Sequence, residues 1–322
     1  MWLDVVRLVV GVLALGLAAD RLVRSAVTIS RAFEVSAVII GAVVIGFGTS
    51  IPEFVVSGLA AVEGELDLAI ANVVSSNIAN VTLVLGSAAM ISVLAARRRV
   101  IRREGMLMFA ALLILAAALA DGDLGFWEGV LLLVLLGGAI LLMVRWSGED
   151  PSAVADALDG VAVPHAESPM SLSLWRSQVG REIVIGILAL LVTVVAAKFL
   201  LDGAIGLGER FGFSVALLGL ITGVGTSLPE LAAAVAGARH KQPALALGNV
   251  IGSNIFNSLG VIGFAAVLSP GPFGGITTPF LVAMIGVALI AGVFAVTGRR
   301  IERFEGALLL VLFGVYAFLV FT

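Results

Sequence analysis

Apolar residues fall along this chain in long blocks, each closed by a short connection that carries Arg, Lys, Asp or Glu. A helix needs roughly 20 residues to cross a hydrocarbon core. On that measure the blocks predict ten transmembrane helices, over residues 3–22, 35–60, 68–94, 104–120, 124–145, 182–201, 212–238, 244–268, 277–297 and 303–321. The second, third, seventh and eighth are rich in Gly, Ser, Thr and Asn, whereas the other six are mostly Leu, Val, Ala, Ile and Phe, as suits lipid-facing or scaffold helices. The first block lacks a small-residue cleavage site and runs into "AADRLVRS", so it is expected to stay in the protein as a span.

Polar stretches interrupt the pattern twice in the same way. "GFGTSIPE" at 46–53 and "GVGTSLPE" at 223–230 superpose under a shift of 177 residues, and the same shift lays "ANVVSSNIAN" (71–80) on "GNVIGSNIFN" (248–257) without a gap. The connection between the motifs changes sign, however: "EGELD" at 63–67 becomes "HKQPA" at 240–244. Basic residues accumulate on the cytoplasmic side. With the N-terminus outside, all of the 19 Lys and Arg except Arg7, Lys198 and Arg210 fall in inward connections, so both termini are expected outside a prokaryotic plasma membrane. The two halves then cross in opposite senses. The predicted fold is an all-α membrane protein of ten helices in two inverted five-helix repeats, 1–146 and 181–322, joined by a polar cytoplasmic linker at 147–180 with a short surface helix around Ser152–Leu158.

Composition narrows the chemistry. At 322 residues, 60% hydrophobic and 13% charged, with mean hydropathy +1.16, the chain is far more apolar than soluble domains, whose charged fraction is near 25%. With no cysteine, neither a disulfide nor a thiolate site can form, and His165 and His240 sit in polar connections, away from any buried ligand set. The net charge of −3 gives no basis for a nucleic-acid partner, and nothing in the chain asks for a protein partner or a cofactor.

Glu53 and Glu230 are the ionisable residues set deep within the predicted spans. A charge there costs at least about 2.5–3.5 kcal/mol on insertion scales, which makes each a functional candidate. One structural alternative is a capping box, because Ser50 with Glu53 and Ser227 with Glu230 have the S-x-x-E spacing. Pro52 and Pro229 suit the first turn of a new half-helix in either case. Asn72, Ser76 and Asn80, and likewise Asn249, Ser253 and Asn257, are four apart and share a helix face. For Asn72, Asn77, Asn249 and Asn254, interhelical glue is an equal reading. Two carboxylates with hydroxyl, amide and carbonyl oxygens, and no His or Cys, suit Ca2+, Mg2+ or Na+ over zinc or copper. Gly46, Gly48, Gly223 and Gly225 would let the backbone unwind and offer carbonyls.

The paired "GTS(I/L)PE" and "SNIxN" motifs resemble the two alpha repeats of the sodium/calcium exchanger family, within the cation/calcium antiporter superfamily. The resemblance implies that Glu53, Thr49, Ser50, Ser76 and Asn80, with Glu230, Thr226, Ser227, Ser253 and Asn257, bind transported Ca2+ and Na+, and that Gly46 and Gly223 lend carbonyls. It implies exchange of Ca2+ for Na+ across a lipid bilayer, with no enzyme activity. Asn257 stands where several relatives, including potassium-dependent ones, have Asp, which removes one carboxylate and any expected need for K+. Ala71, Ser75 and Ala79 replace the more usual Gly, Gly and Phe. A Ca2+/H+ antiporter on the same two glutamates is the alternative, and a passive cation channel is a reading from another class.

Overall fold

The computed structural model describes residues 1–33, 35–147, 172–212, 224–274 and 278–321. Eleven helical pieces carry the fold: α1 (Trp2–Ala32), α2 (Ala37–Thr49), α3 (Ile51–Val62), α4 (Leu66–Ile91), α5 (98–118), α6 (Phe126–Ser147), α7 (Leu172–Arg210), α8 (Leu228–Arg239), α9 (Pro243–Leu268), α10 (Thr278–Gly298) and α11 (Arg303–Phe321). Among the described residues seven are long and apolar enough to cross a membrane, and α2 with α3 makes an eighth if that bent pair is one span. Residues 98–118 form one continuous helix where 104–120 was expected. The N-terminal part of the expected 212–238 span and the expected helix at 152–158 lie outside the described residues.

Two further boundaries differ from expectation because charge at a helix end is tolerated once the chain leaves lipid. α1 continues ten residues past position 22, and α7 begins at Leu172, inside the segment read as linker. These two helices pack antiparallel. Gly11 lies against Leu200 and Gly203 against Asp4 and Leu8, close enough that a Cβ on either glycine would meet backbone atoms within 2.7 Å. Ion pairs close both ends, Arg210 to Asp4 at 2.8 Å and Arg21 to Glu182 at 2.6 Å.

The central pair is α4 and α9, whose apolar windows are 72% and 83% buried, against 17–28% for α1, α6, α7, α10 and α11. The outer helices expose Leu17, Val134, Leu141, Val282 and Val311, the faces a bilayer would cover. Small residues let α9 reach α2. The Gly248 and Gly252 positions are so close to Val38 and Ala42 that a Cβ would sit 2.2 and 2.0 Å from their carbonyl oxygens. On α4 the matching residues are Ala71 and Ser75, and the segment that would face them by the repeat shift lies outside the described residues.

The expected all-α fold carries two short ribbons as well. β1 (Leu94–Ala95) pairs with β4 (Arg300–Ile301), and β2 (Asp123–Leu124) with β3 (Gly271–Pro272). The 177-residue shift carries β1 onto β3 and β2 onto β4, and it exchanges the pairs Leu94–Ile301 and Gly271–Leu124 in register. Left-handed turn positions recur by the same shift: Gly64 (φ 82°) matches Lys241 (φ 55°), and Gly122 (φ 78°) matches Arg299 (φ 52°). The second half holds the conformation with basic residues where the first uses glycine. Side chains of that kind accept this region at a cost that glycine avoids.

Candidate functional site

The two broken helices meet at their breaks. α2 ends at Thr49, Ser50 departs from helical geometry with ψ 10°, and α3 starts with Pro52 in its first turn at a bend of 44°. Proline lacks the amide that an interior turn would need, so it sits at little cost in the first turn. Ser227 repeats that geometry with ψ 8° before Pro229. Each break thus delivers a glutamate to the first turn of a helix, where the dipole favours a negative charge.

Neither serine caps its own helix. Ser50 Oγ donates to Glu230 Oε1 at 2.8 Å, and Ser227 Oγ donates to Glu53 Oε1 at 3.2 Å. The capping-box reading is therefore overturned: the S-x-x-E spacing serves a reciprocal bond across the two halves. The next layer is reciprocal as well. Thr49 Oγ1 donates to Asn249 Oδ1 at 3.3 Å, and Thr226 Oγ1 to Asn72 Oδ1 at 3.5 Å. Asn249 in turn donates to the Glu230 carbonyl, and Asn72 to Ser57 Oγ, each at 3.0 Å. These asparagines act as supports linking the halves. Asn77 and Asn254 bond Ser258 and the Val250 carbonyl, outside the carboxylate cluster.

Glu53, Glu230, Thr49, Ser50, Ser76, Asn80, Ser253 and Asn257 are fully buried, and Thr226 and Ser227 nearly so. The Gly46 carbonyl accepts Ser253 Oγ at 3.0 Å and Thr49 Oγ1 at 3.3 Å. Gly46 closes the π-helical stretch Ile40–Gly46, a local underwinding of the helix, while its own angles stay near helical values (φ −57°, ψ −49°). A Cβ there would come 2.9 Å from the Asn249 oxygen, and the missing side chain lets α9 approach. Gly48 and Gly225 likewise admit Leu190 and Leu201 of α7. Gly223 lies outside the described residues.

Several polar atoms in this cluster have no partner: Glu53 Oε2, Glu230 Oε2, Ser76 Oγ, and both amide atoms of Asn80 and Asn257. Each buried, unpaired polar group ordinarily costs about 1–3 kcal/mol. No Lys, Arg or His among the described residues pairs with either glutamate. Two buried carboxylates without a counter-charge, ringed by unsatisfied oxygens, form a cage suited to a hard cation. Sequence reasoning singled out both glutamates and the Thr49, Ser50, Ser76, Thr226, Ser227 and Ser253 hydroxyls, and it missed Ser57, whose Oγ accepts from Asn72. It left the roles of Asn72 and Asn249 open, because the threonine hydroxyls they accept come from the other half of the chain.

A family model described as sodium/calcium exchanger protein matches residues 3–145 and 182–322. The chain belongs to this family. Among curated relatives of this exchanger, CaxA of Alkalimonas amylolytica is 37% identical over 321 residues, 97% of each chain. The sodium/calcium exchanger MaX1 of Methanosarcina acetivorans is 29% identical over 97% of this chain and 96% of its own. Among solved structures, the sodium-calcium exchanger NCX_Mj soaked with 10 mM Na+ and 10 mM Sr2+ superposes with a TM-score of 0.81 at 25% identity, covering 97% of both chains. The protein is thus a multi-pass membrane antiporter of the exchanger type.

Proposed function

We propose that this exchanger moves Ca2+ against Na+ by alternating access, with Glu53 and Glu230 supplying the charge. The uncompensated pair of buried carboxylates carries this reading, since one Ca2+ cancels both. Thr49, Ser50, Ser76, Asn80 and the Gly46 carbonyl would complete one side of the cage. Thr226, Ser227, Ser253, Asn257 and the Gly223 carbonyl would complete the other. Two protons cancel the same charge, and the two serine bonds leave one oxygen on each glutamate to accept one. That observation supports Ca2+/H+ exchange as the second reading. Calcium flux in proteoliposomes tests the choice: uptake driven by an imposed Na+ gradient supports the first reading, uptake driven by a pH gradient alone supports the second, and flux indifferent to both gradients means a channel.

The cage also predicts unequal ion effects. Hydroxyl and carbonyl oxygens can hold Na+, whereas only the glutamates bring full charge for Ca2+. Thr49→Val and Thr226→Val are therefore expected to weaken Na+ dependence more than Ca2+ affinity, measured as competition of Na+ against Ca2+ uptake. Equal losses for the two ions would refute separate Na+ positions. With Asn at position 257 the site charge is −2 and several Na+ ions would leave it positive, so Na+ should compete weakly unless membrane potential assists, and K+ should be dispensable. Asn257→Asp is expected to make Ca2+ uptake more pH-dependent and to admit K+.

Ten spans in two inverted repeats, 1–146 and 181–322, with both termini outside a prokaryotic plasma membrane, complete the proposal. The antiparallel packing of α1 on α7, the exchanged ribbons and the reversed charge of 63–67 and 240–244 support it. Cysteine labels placed at Glu65 and Lys241 should react from opposite sides of the membrane. Reaction from one side would rule the inverted arrangement out.

A further inference from the structure

Four phenylalanines stack into one column beside the cage. The Phe47 ring lies on Phe256 with 4.8 Å between centroids, Phe256 on Phe54 at 6.0 Å, and Phe54 on Phe264 at 4.6 Å, with the planes inclined by 27–30°. Stacked contacts of this kind hold rings together beyond the burial of their area. Two glycines make room for the column: a Cβ on Gly260 would come 3.0 Å from Phe256 Cδ2, and one on Gly58 would come 3.4 Å from Phe264 Cε1. Phe47 stands before the break at Ser50 and Phe54 after it, so the single ring of Phe256 touches both sides of the 44° bend. A ring placed there resists any change in the bend.

Three of these rings each stand one residue from a candidate ligand: Phe47 follows Gly46, Phe54 follows Glu53, and Phe256 precedes Asn257. Phe256 also opens the underwound stretch Phe256–Val261 of α9, in which Asn257 lies. It sits three residues beyond Ser253, whose hydroxyl donates to the Gly46 carbonyl at 3.0 Å, so bond and ring hold the same seam between α2 and α9. The column therefore ties the Gly46 carbonyl, the Glu53 carboxylate and the Asn257 amide to one another. The 177-residue shift puts Val224, Leu231, Ala79 and Ser87 at the corresponding positions, and the related seam cannot build such a column. We propose that Phe256 is a positioning residue for ion selection: resting on the reading that the cage binds Ca2+, the column fixes the spacing of these three ligands so that the cage fits Ca2+ and resists widening around the larger Ba2+. Selection among hard cations is decided by cavity size and by how far the ligands can yield. Here yielding means parting stacked rings.

The test is competition of Ba2+ against Ca2+ uptake by the full-length protein in proteoliposomes, taken as the ratio of the Ba2+ and unlabelled Ca2+ concentrations that halve the uptake of labelled Ca2+. Both concentrations come from one sample, so a smaller folded fraction leaves the ratio alone. Phe256→Leu and Phe54→Leu keep apolar bulk and remove the stack from opposite helices. Each should lower the preference for Ca2+ by about threefold or more, on the scale set by the strength of the ring contacts that enforce it. Phe280→Leu, which breaks the edge-on pair with Tyr316 at 6.3 Å elsewhere in the fold, should keep the parental ratio. A parental ratio in both stack variants, the same shift in Phe280→Leu, or loss of all Ca2+ uptake in both stack variants would overturn the proposal. A parent that takes up no Ca2+ would instead refute the Ca2+ reading of the cage, a failure visible before any variant is made.

Discussion

Glu53→Gln and Glu230→Gln are each expected to abolish Ca2+ transport, by a hundredfold or more, while the protein stays folded. Glutamine keeps the oxygen that accepts the Ser227 or Ser50 hydroxyl, so the reciprocal bond between the halves survives. What disappears is half of the negative charge in a place where water cannot replace it. A hundredfold loss corresponds to about 2.7 kcal/mol, modest for removing one of two charges that face a divalent ion at low dielectric. Stability measurements separate this from misfolding. Without Ca2+ the neutral variants should be at least as stable as the parent, because a buried uncompensated carboxylate is itself costly. Ca2+ at a hundred times its dissociation constant should raise the parent's stability by about 2.7 kcal/mol and leave the variants unmoved. A variant that still gains stability from Ca2+ would place the charge-bearing site elsewhere.

The second large effect is expected from a residue that touches no ion. Gly252→Ala would put a Cβ 2.0 Å from the Ala42 carbonyl oxygen and 2.5 Å from its carbon. Backbone cannot swing aside as a side chain can, so α2 and α9 must separate. Overpacking of this kind typically costs about 1–3 kcal/mol and at times more. The shift would also pull Gly46, whose carbonyl holds Ser253 Oγ, off the facing helix. Thermal unfolding in detergent should therefore show a lowered midpoint, and Ca2+ uptake should fall at least tenfold. Gly137→Ala, at a position with nothing within 4 Å, is the matched control and should be silent. A Gly252→Ala protein with parental stability and transport would mean that the close approach of α2 and α9 is dispensable.

Much of the site was legible in the chain because charge in an apolar block is rare and the repeat states it twice. Glu53 and Glu230 needed no structure to be singled out, nor did the serine and asparagine stripes of α4 and α9, since a spacing of four is enough to share a helix face. The function of S-x-x-E was not legible. Read locally, Ser50 caps the helix of Glu53. In the fold it reaches Glu230, 180 residues away. The packing role of the glycines was hidden for the same reason: nothing local marks Gly252, or the missing side chain of Gly46, as the place where another helix comes close.

By itself the sequence determined that the chain lies in a membrane, that it is built of two related halves, and which oxygens could meet a cation. Hydropathy, charge and a gapless repeat are local or periodic properties, and they survive without knowledge of which helix touches which. Only the tertiary structure decided the partners: Ser50 with Glu230, Ser227 with Glu53, Thr49 with Asn249, and the ribbons exchanged between halves. The physical reason is that a hydrogen bond depends on distances of about 3 Å, and for residues this far apart in the chain those distances are set by how closely glycine lets two helices approach.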